Sequence, residues 1–147
     1  MYRRRNHRLE VFLVHPGGPF WKNKDDGAWS IPKGEYSQAE DPMEAAKREF
    51  REETGFEPGD QLLELAEICQ PSGKRLSAWA FEGDCDPSLL RSNNFSVEWP
   101  RRSGQMQEFP EVDRADWFTI DAARVKILKG QLGFLDRLLQ KLAHMKK

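Results

Sequence analysis

The chain has 147 residues, of which 38% are hydrophobic and 32% are charged, and its formal net charge is −1. Nine phenylalanines and five tryptophans supply large apolar side chains for a core, so the composition excludes a disordered chain. The near-neutral charge excludes a global electrostatic attraction to nucleic acid or membrane. We expect residues 1–147 to form one domain.

The first part of the chain predicts two strands. Residues 9–14 are an apolar run typical of a buried strand, and Pro and Gly residues at 16–19 end it. Residues 22–27 read as a polar loop, and residues 28–31 read as a short strand. The apolar run is too short for a signal peptide or a membrane span, so we expect a soluble cytoplasmic protein.

A helix with clear end signals follows. Asp41 suits the N-cap, Pro42 the first helical position and Glu44 the third, which together make a capping-box pattern. The helix is predicted to run to about Thr54, with Gly55 as the left-handed residue that caps its C-terminus.

The second half predicts a hairpin, further strands and a terminal helix. The hairpin pairs residues 62–70 with 75–82, a polar loop covers 83–94, and strands are expected at 95–99 and 115–119. The helix predicted to pack on the core carries apolar residues at helical spacing: Leu132, Leu135, Leu139, Leu142 and Met145. Because helices interleave with strands around a central hairpin, we expect an α/β (α+β) fold, with a mixed sheet between helices on both faces.

Three carboxylates occupy one side of the predicted central helix. Glu49, Glu52 and Glu53 fall within an arc of about 100°. The neighbouring arc, which we expect to face the core, carries Met43, Ala46 and Phe50. The mutual repulsion of the glutamates is only about 0.2–0.5 kcal/mol per pair. The helix alone therefore leaves two interpretations open, namely a charged outer face or a site for a hard divalent cation such as Mg²⁺ or Mn²⁺.

Zinc is a poorer fit to this chain. His7, His15 and His144 are scattered, and Cys69 and Cys85 lie sixteen positions apart without a metal-ligand spacing. We expect both thiols to be reduced.

A complete family signature lies between Gly34 and Phe56. The sequence has Gly34, then Glu40, then Arg48-Glu49-Phe50-Arg51-Glu52-Glu53-Thr54-Gly55-Phe56. This resembles the 23-residue box of the Nudix family at every fixed position. Its chance occurrence is about 10⁻⁹ per start position. The resemblance extends from about residue 9 to 145, through residues 29–34 and Asp116-Trp117-Phe118, and it implies an α/β/α sandwich.

The resemblance also implies roles for individual residues. Glu49, Glu52 and Glu53 resemble the family's Mg²⁺ or Mn²⁺ ligands, and Glu49 is our candidate for taking a proton from the attacking water. Arg48 resembles the residue that orients these glutamates, and Glu40 an additional carboxylate at or behind the metal.

Other candidates lie outside the helix. The carbonyl of Gly34 is a possible metal ligand, and Lys33 is expected either to neutralise substrate phosphate or to be a solvated loop lysine. Members of the family often add an acidic residue from a distant loop, for which Glu108 and Glu111 are the candidates. We prefer Glu111, although a plain surface carboxylate is an open alternative.

The signature does not choose a substrate. The resemblance implies a phosphoanhydride in a nucleoside diphosphate joined to another group, such as a dinucleoside polyphosphate, a nucleoside triphosphate or a nucleotide sugar. Candidate substrate-binding segments are Phe20-Trp21, residues 83–94 and Arg101-Arg102. Trp21 could stack on a base or pack in the core, and Arg101 is a further candidate for substrate binding. Alternatives are hydrolysis at the 5′ end of RNA, favoured by the basic start, and a nucleotide-binding module without turnover. A monomer and a homodimer are both left open.

One departure from the family concerns its first strand. Nudix domains usually have a full strand before the one at residues 9–14, whereas here only Met1 and Tyr2 precede an arginine-rich turn. We expect that strand to be missing, or the chain to start inside the natural coding sequence, with an exposed sheet edge.

Overall fold

The structure is a computed structural model that describes residues 1–33, 39–69, 73 and 75–145. Short 3₁₀ turns lie at Pro87–Leu89 and Lys129–Gln131. The strands and α-helices of the described residues are β1 (Tyr2–Arg5), β2 (Arg8–Pro16), α1 (Pro42–Thr54), β3 (Leu63–Cys69), β4 (Arg75–Ala80), β5 (Asn94–Glu98), β6 (Met106–Pro110), β7 (Val112–Thr119), α2 (Ile120–Lys126) and α3 (Leu132–Met145).

The first strand is present, so the expectation that it is missing was wrong. β1 pairs antiparallel with β2, with Tyr2 opposite Val11 and Arg5 opposite Arg8. Asn6 (φ 52°) and His7 (φ 65°) make the connection, and two successive left-handed residues form the turn that matches the twist of a tight hairpin. The arginine-rich segment is therefore a strand rather than a turn. The expected bare edge is also contacted, because Tyr2 makes an isolated bridge to Glu82.

The central sheet is β1-β2-β7, and the pairs β3-β4 and β5-β6 form two further hairpins. All of these ladders are antiparallel. Parallel pairing within the described residues is confined to two isolated bridges, Tyr2 with Glu82 and Trp29 with Ile127. The α/β fold is confirmed. The strand expected at residues 28–31 is reduced to single bridges, since only Trp29 and Ser30 find partners.

Alternate side chains of β2 enter two separate apolar clusters, as the period of a strand dictates. Val11 and Leu13 pack in one cluster with α2 and α3. Phe12 and Val14 pack in the other with Trp117, and Phe56, just beyond α1, lies against it. The central sheet therefore buries both of its faces.

The terminal helix is confirmed, but its buried face differs in part from the predicted one. Leu135 and Leu142 are buried as expected, whereas Met145 is 61% exposed. Phe134 and Leu138 take the remaining core positions. Met145 stands at the end of α3, where its side chain remains in solvent, and helical spacing alone does not show this.

His15 fastens the loop that follows β2. Its side chain is fully buried, with Nδ1 2.8 Å from a carboxylate oxygen of Asp113 and Nε2 2.6 Å from the carbonyl oxygen of Lys24. Its ring also meets Trp29 edge-on at 5.3 Å. These contacts join β2, β7 and the polar loop, and they fix where that loop leaves the sheet.

Candidate active site

Helix α1 begins and ends where its capping residues predict. The Asp41 side chain accepts a hydrogen bond from the Glu44 amide at 3.2 Å, and Pro42 occupies the first turn. Gly55 adopts the left-handed conformation (φ 78°), and its amide donates to the carbonyl of Arg51. The register of the glutamates on the helix is thus set by local sequence chemistry.

The buried stripe of α1 passes through two of the glutamates. Ala45 and Phe50 are buried, whereas Met43 and Ala46, expected to face the core, are only partly so. Glu49 and Glu53 lie four and eight residues after Ala45, on the same side of the helix. The side chain of Glu49 is 12% exposed. These two carboxylates are therefore partly buried and do not form an outer charged face.

Glu53 is hydrogen-bonded to the main chain of the segment that precedes α1. The Lys33 amide donates to Oε2 of Glu53 at 2.6 Å. The pKa of Glu53 is raised to about 8, mainly by burial; the Lys33 amide and ammonium oppose this rise, and the charges of Glu111 and Glu49 add to it. Ionisation of the Glu53 carboxyl group is consequently unfavourable unless a cation binds close to it.

Arg48 connects the remaining carboxylates. Its Nη1 lies 3.0 Å from Oε1 of Glu49 and 3.3 Å from Oε2 of Glu52, and its Nη2 lies 3.1 Å from Glu40. Burial, followed by repulsion from Glu52, raises the pKa of Glu49. Arg48 therefore holds Glu40, Glu49 and Glu52 together through ion pairs, whereas its role in orienting metal ligands stays a prediction.

Glu111 joins the cluster from the far end of the chain. Burial and repulsion from Glu52 raise its pKa, and Glu111 in turn raises the pKa values of Glu49 and Glu53. Its amide donates to the carbonyl of Asn93 at 2.8 Å, and the Asn93 amide donates to the carbonyl of Glu52 at 2.8 Å. Two main-chain bonds therefore connect Glu111 to the last turn of α1.

Gly55 makes this connection possible. A Cβ at Gly55 would lie 2.9 Å from the carbonyl oxygen of Arg91. The Arg91 amide donates to the Thr54 carbonyl at 2.9 Å, so the incoming chain crosses directly over the end of α1. The glycine thus serves both the left-handed cap and the close approach. Sequence reasoning found the cap but missed Arg91 and Asn93, because their contacts are made by backbone atoms.

The cluster has the chemistry of a site for a hard divalent cation. Carboxylate oxygens are the ligands that Mg²⁺ and Mn²⁺ favour, and a cation would offset both the repulsion and the desolvation of Glu53. In the described part of the chain, no three His, Cys, Asp or Glu side chains are already grouped as metal ligands. Glu49 and Glu52 face Arg48, and Glu53 faces the Lys33 amide.

The predicted site residues outside α1 include Lys33, Gly34, Trp21 and Arg101. Gly34 falls outside the described residues. The Lys33 side chain is exposed, and its charge lowers the pKa of Glu53. Trp21 carries the ammonium of Lys24 over its ring at 5.1 Å, and Arg101 stacks on Phe20 at 5.2 Å.

An apolar cavity borders the same region. Its volume is about 610 Å³, and it lies between α1, the β3-β4 hairpin and α3. Lys33 and Ala45 are among its lining residues, and Trp79 and Phe81 contribute aromatic walls.

The family is settled by comparison with known domains. The NUDIX domain family matches residues 1–138. This chain belongs to the Nudix family. Membership identifies a hydrolase that acts on phosphoanhydride bonds. A comparison with curated proteins gives no match.

Solved Nudix structures share the fold at low sequence identity. The NUDIX domain of Shewanella oneidensis NrtR, solved with ADP ribose, is 15% identical, with a TM-score of 0.63 over 96% of this chain and 82% of that one. An Ap4A hydrolase from C. elegans is 21% identical, with a TM-score of 0.63 over 97% and 94%. A mutT/nudix family protein from Listeria innocua is 18% identical, with a TM-score of 0.60 over 98% and 88%. No helix among the described residues is long and apolar enough to cross a bilayer.

Proposed function

We propose that this Nudix hydrolase is a Mg²⁺- or Mn²⁺-dependent pyrophosphohydrolase that cuts the phosphoanhydride of a nucleoside diphosphate joined to another group. The observation that carries the proposal is that two main-chain hydrogen bonds through Asn93 fix Glu111 to Glu52 at the end of α1, close enough for its charge to raise the pKa values of Glu49 and Glu53. Carboxylates from two distant parts of the chain share this partly buried position, at the expense of mutual repulsion. Such an arrangement is typical of a functional site rather than of a stabilising one.

The residues divide the work as follows. Glu49, Glu52, Glu53 and Glu111 would hold the cation, with Glu40 and the Gly34 carbonyl as further candidates. A bound Mg²⁺ or Mn²⁺ would neutralise phosphoryl oxygens and acidify a water molecule.

The remaining steps belong to the protein. Glu49 receives the proton of the attacking water, and Arg48 holds Glu49 and Glu52 in position. The ammonium of Lys33, close enough to Glu53 to lower its pKa, faces the charge of the diphosphate. Trp21 and Arg101 are candidates for contacts with the rest of the substrate.

Two structural relatives support the substrate class. The Shewanella oneidensis NrtR domain is complexed with ADP ribose, and the C. elegans relative is an Ap4A hydrolase. Both compounds contain a nucleoside diphosphate joined to a further group. The apolar cavity beside Lys33 offers space for an uncharged part of such a molecule.

The test is a substrate panel with Mg²⁺ or Mn²⁺, scored by the phosphates released. It contains dinucleoside polyphosphates, nucleoside triphosphates, nucleotide sugars, ADP-ribose and 5′-triphosphorylated RNA. We expect hydrolysis of a small nucleotide and its loss in Glu53→Gln. The matched control is Glu57→Gln, because Glu57 is exposed and pairs only with Arg51 in the described residues.

The outcomes separate the alternatives. Faster hydrolysis of RNA than of every small nucleotide would replace the proposal with an RNA 5′-end activity. Tight nucleotide binding without turnover would indicate a binding module. Equal rates for Glu53→Gln and the wild type would remove Glu53 from the site.

A further inference from the structure

We infer that an exposed aromatic surface at the distal end of the β5-β6 hairpin, formed by Phe20, Trp99 and Arg101, binds the nucleobase of the substrate by stacking. This inference rests on the proposed function, which it extends from the reacting diphosphate to the nucleoside that carries it. We call these three residues the stacking platform.

The platform joins two segments that are remote in sequence. The rings of Phe20 and Trp99 meet edge-on, with centroids 5.5 Å apart and an interplanar angle of 80°. The guanidinium carbon of Arg101 lies 5.2 Å from the Phe20 centroid, within the range of a cation–π contact. Phe20 nevertheless remains 41% exposed. The contacts therefore orient the Phe20 ring and still leave part of it open to a ligand.

Arg101 has donors to spare. Its side chain makes no hydrogen bond or ion pair within the described residues, and it is exposed. A guanidinium held against a ring can extend a stacking surface and can also donate to phosphate or to base oxygens. The adjacent Arg102 differs, because its backbone amide donates a hydrogen bond to the Glu98 carboxylate at 2.7 Å. The two arginines therefore share a turn and a charge, whereas only Arg101 is stacked on an aromatic ring.

Two hydrogen bonds fix the position of Trp99 in the platform. Trp99 donates its amide to the Gln105 carbonyl at 2.9 Å, and its own carbonyl accepts a bond from the Gln107 side chain at 3.0 Å. These bonds close the distal end of the β5-β6 hairpin. A preformed aromatic surface loses little entropy when a flat ligand binds to it.

A short loop connects the Phe20 side of the platform to the segment that carries Glu111. The Gly17 amide donates to the Glu111 carbonyl at 2.9 Å, and a Cβ at Gly17 would overlap the Pro110 carbonyl. The loop that carries Phe20 therefore starts against Glu111. Three residues span at most about 11 Å, so the Phe20 backbone stays within that distance of Gly17. An extended nucleotide can place its phosphates at the carboxylates and its base near Phe20.

Stacking also defines what the platform would recognise. Aromatic faces accept any base, since every base has a π-surface, and each stacked base strengthens binding roughly 5- to 150-fold. We expect a strong preference for nucleotides over inorganic polyphosphates and a weak preference among bases.

The experiment measures the binding of ADP and of inorganic pyrophosphate by calorimetry, with Mg²⁺, to the wild type and four variants. We expect Phe20→Leu to weaken ADP binding roughly 10-fold. Pyrophosphate binding should be unchanged, and Phe20→Trp should retain ADP affinity. Arg101→Gln should weaken ADP binding more than Arg102→Gln, its matched control. With a hydrolysed nucleotide, Phe20→Leu should raise KM and leave kcat within about 3-fold of the wild type.

Each contrary result overturns the inference. Unchanged ADP affinity in Phe20→Leu would place the base elsewhere, for instance in the apolar cavity. Equal weakening of ADP and pyrophosphate would show a structural role for Phe20. Equal effects of the two arginine variants would show that Arg101 contributes only its positive charge and makes no specific stacking contact. A wild type that binds ADP no more tightly than pyrophosphate would also refute it. Because binding is measured without turnover, a protein that hydrolyses nothing would defeat the proposed function and still report on the platform.

Discussion

Replacing Glu53 with Gln should stabilise the metal-free protein at alkaline pH while removing its activity. The pKa of Glu53 is about 8 in the folded protein, against an ordinary value of 4.5. A carboxyl group with a raised folded-state pKa favours folding fully below the lower value, and this contribution is lost as the pH rises through the higher one. The wild type should therefore lose stability between about pH 4.5 and pH 8. The variant, which cannot ionise at this position, should not share that loss.

The magnitude follows from the width of the window. One pKa unit corresponds to about 1.4 kcal/mol, so the full shift would amount to at most about 5 kcal/mol. The carboxylate is partly exposed, and solvent screening reduces this to roughly 2 kcal/mol. For a chain of this length, 2 kcal/mol is a rise in Tm of about 6 °C at pH 8.5. Near pH 5 the two proteins should melt within a degree or two of each other.

The assay is thermal unfolding in EDTA from pH 5 to 8.5, repeated with Mg²⁺. Addition of Mg²⁺ should raise the Tm of the wild type at pH 8.5 and have less effect on Glu53→Gln. Glu57→Gln, which removes an exposed carboxylate, should follow the wild type. The reasoning is wrong if Glu53→Gln is no more stable than the wild type at pH 8.5, or if its advantage is the same at pH 5.

Three further changes test the frame around the site. Glu111→Gln should lower kcat at least 10-fold and raise the metal concentration that gives the half-maximal rate. Glu108→Gln, its control, should do neither, and equal effects of the two variants would contradict the position of Glu111. Gly55→Ala should lower the free energy of unfolding in urea by about 1–3 kcal/mol more than Gly104→Ala. Both glycines have a positive φ, but only Gly55 of the two lies against another segment. Equal losses would show that the contact of Gly55 with Arg91 is unimportant for stability. His15→Leu should cost about 2 kcal/mol or more in the same assay by leaving two oxygen partners unsatisfied, and a neutral result would refute its role as a fastening.

Local chemistry explains why α1 could be predicted from the sequence. The cap at Asp41, the stop at Gly55 and the register of the glutamates all depend on residues within a few positions of each other. The hairpin β3-β4 and helix α3 were recognisable for the same reason, through alternation and helical spacing.

Elements without a strong local pattern were missed. β6 is mostly exposed and polar, so it shows no apolar alternation, and α2 is too short for a clear period. β1 was missed because Asn6 and His7 form a left-handed turn without the glycine that would have indicated such a turn in the sequence. The arrangement of Phe20 against Trp99 joins residues far apart in the chain, and no local signal encodes such a contact.

The backbone bonds around the site suggest why its chemistry and its specificity can vary separately. Glu53 is fixed by the Lys33 amide, and Glu111 is fixed to Glu52 through the main chain of Asn93. Main-chain bonds do not depend on which side chains the bridging residues carry, so residues on the β5-β6 hairpin can change without moving the carboxylates. The hairpin has one end attached to the reacting centre and the other end free to present aromatic and cationic groups. A substrate's diphosphate and its nucleoside would then be recognised by parts of the chain that share only this attachment.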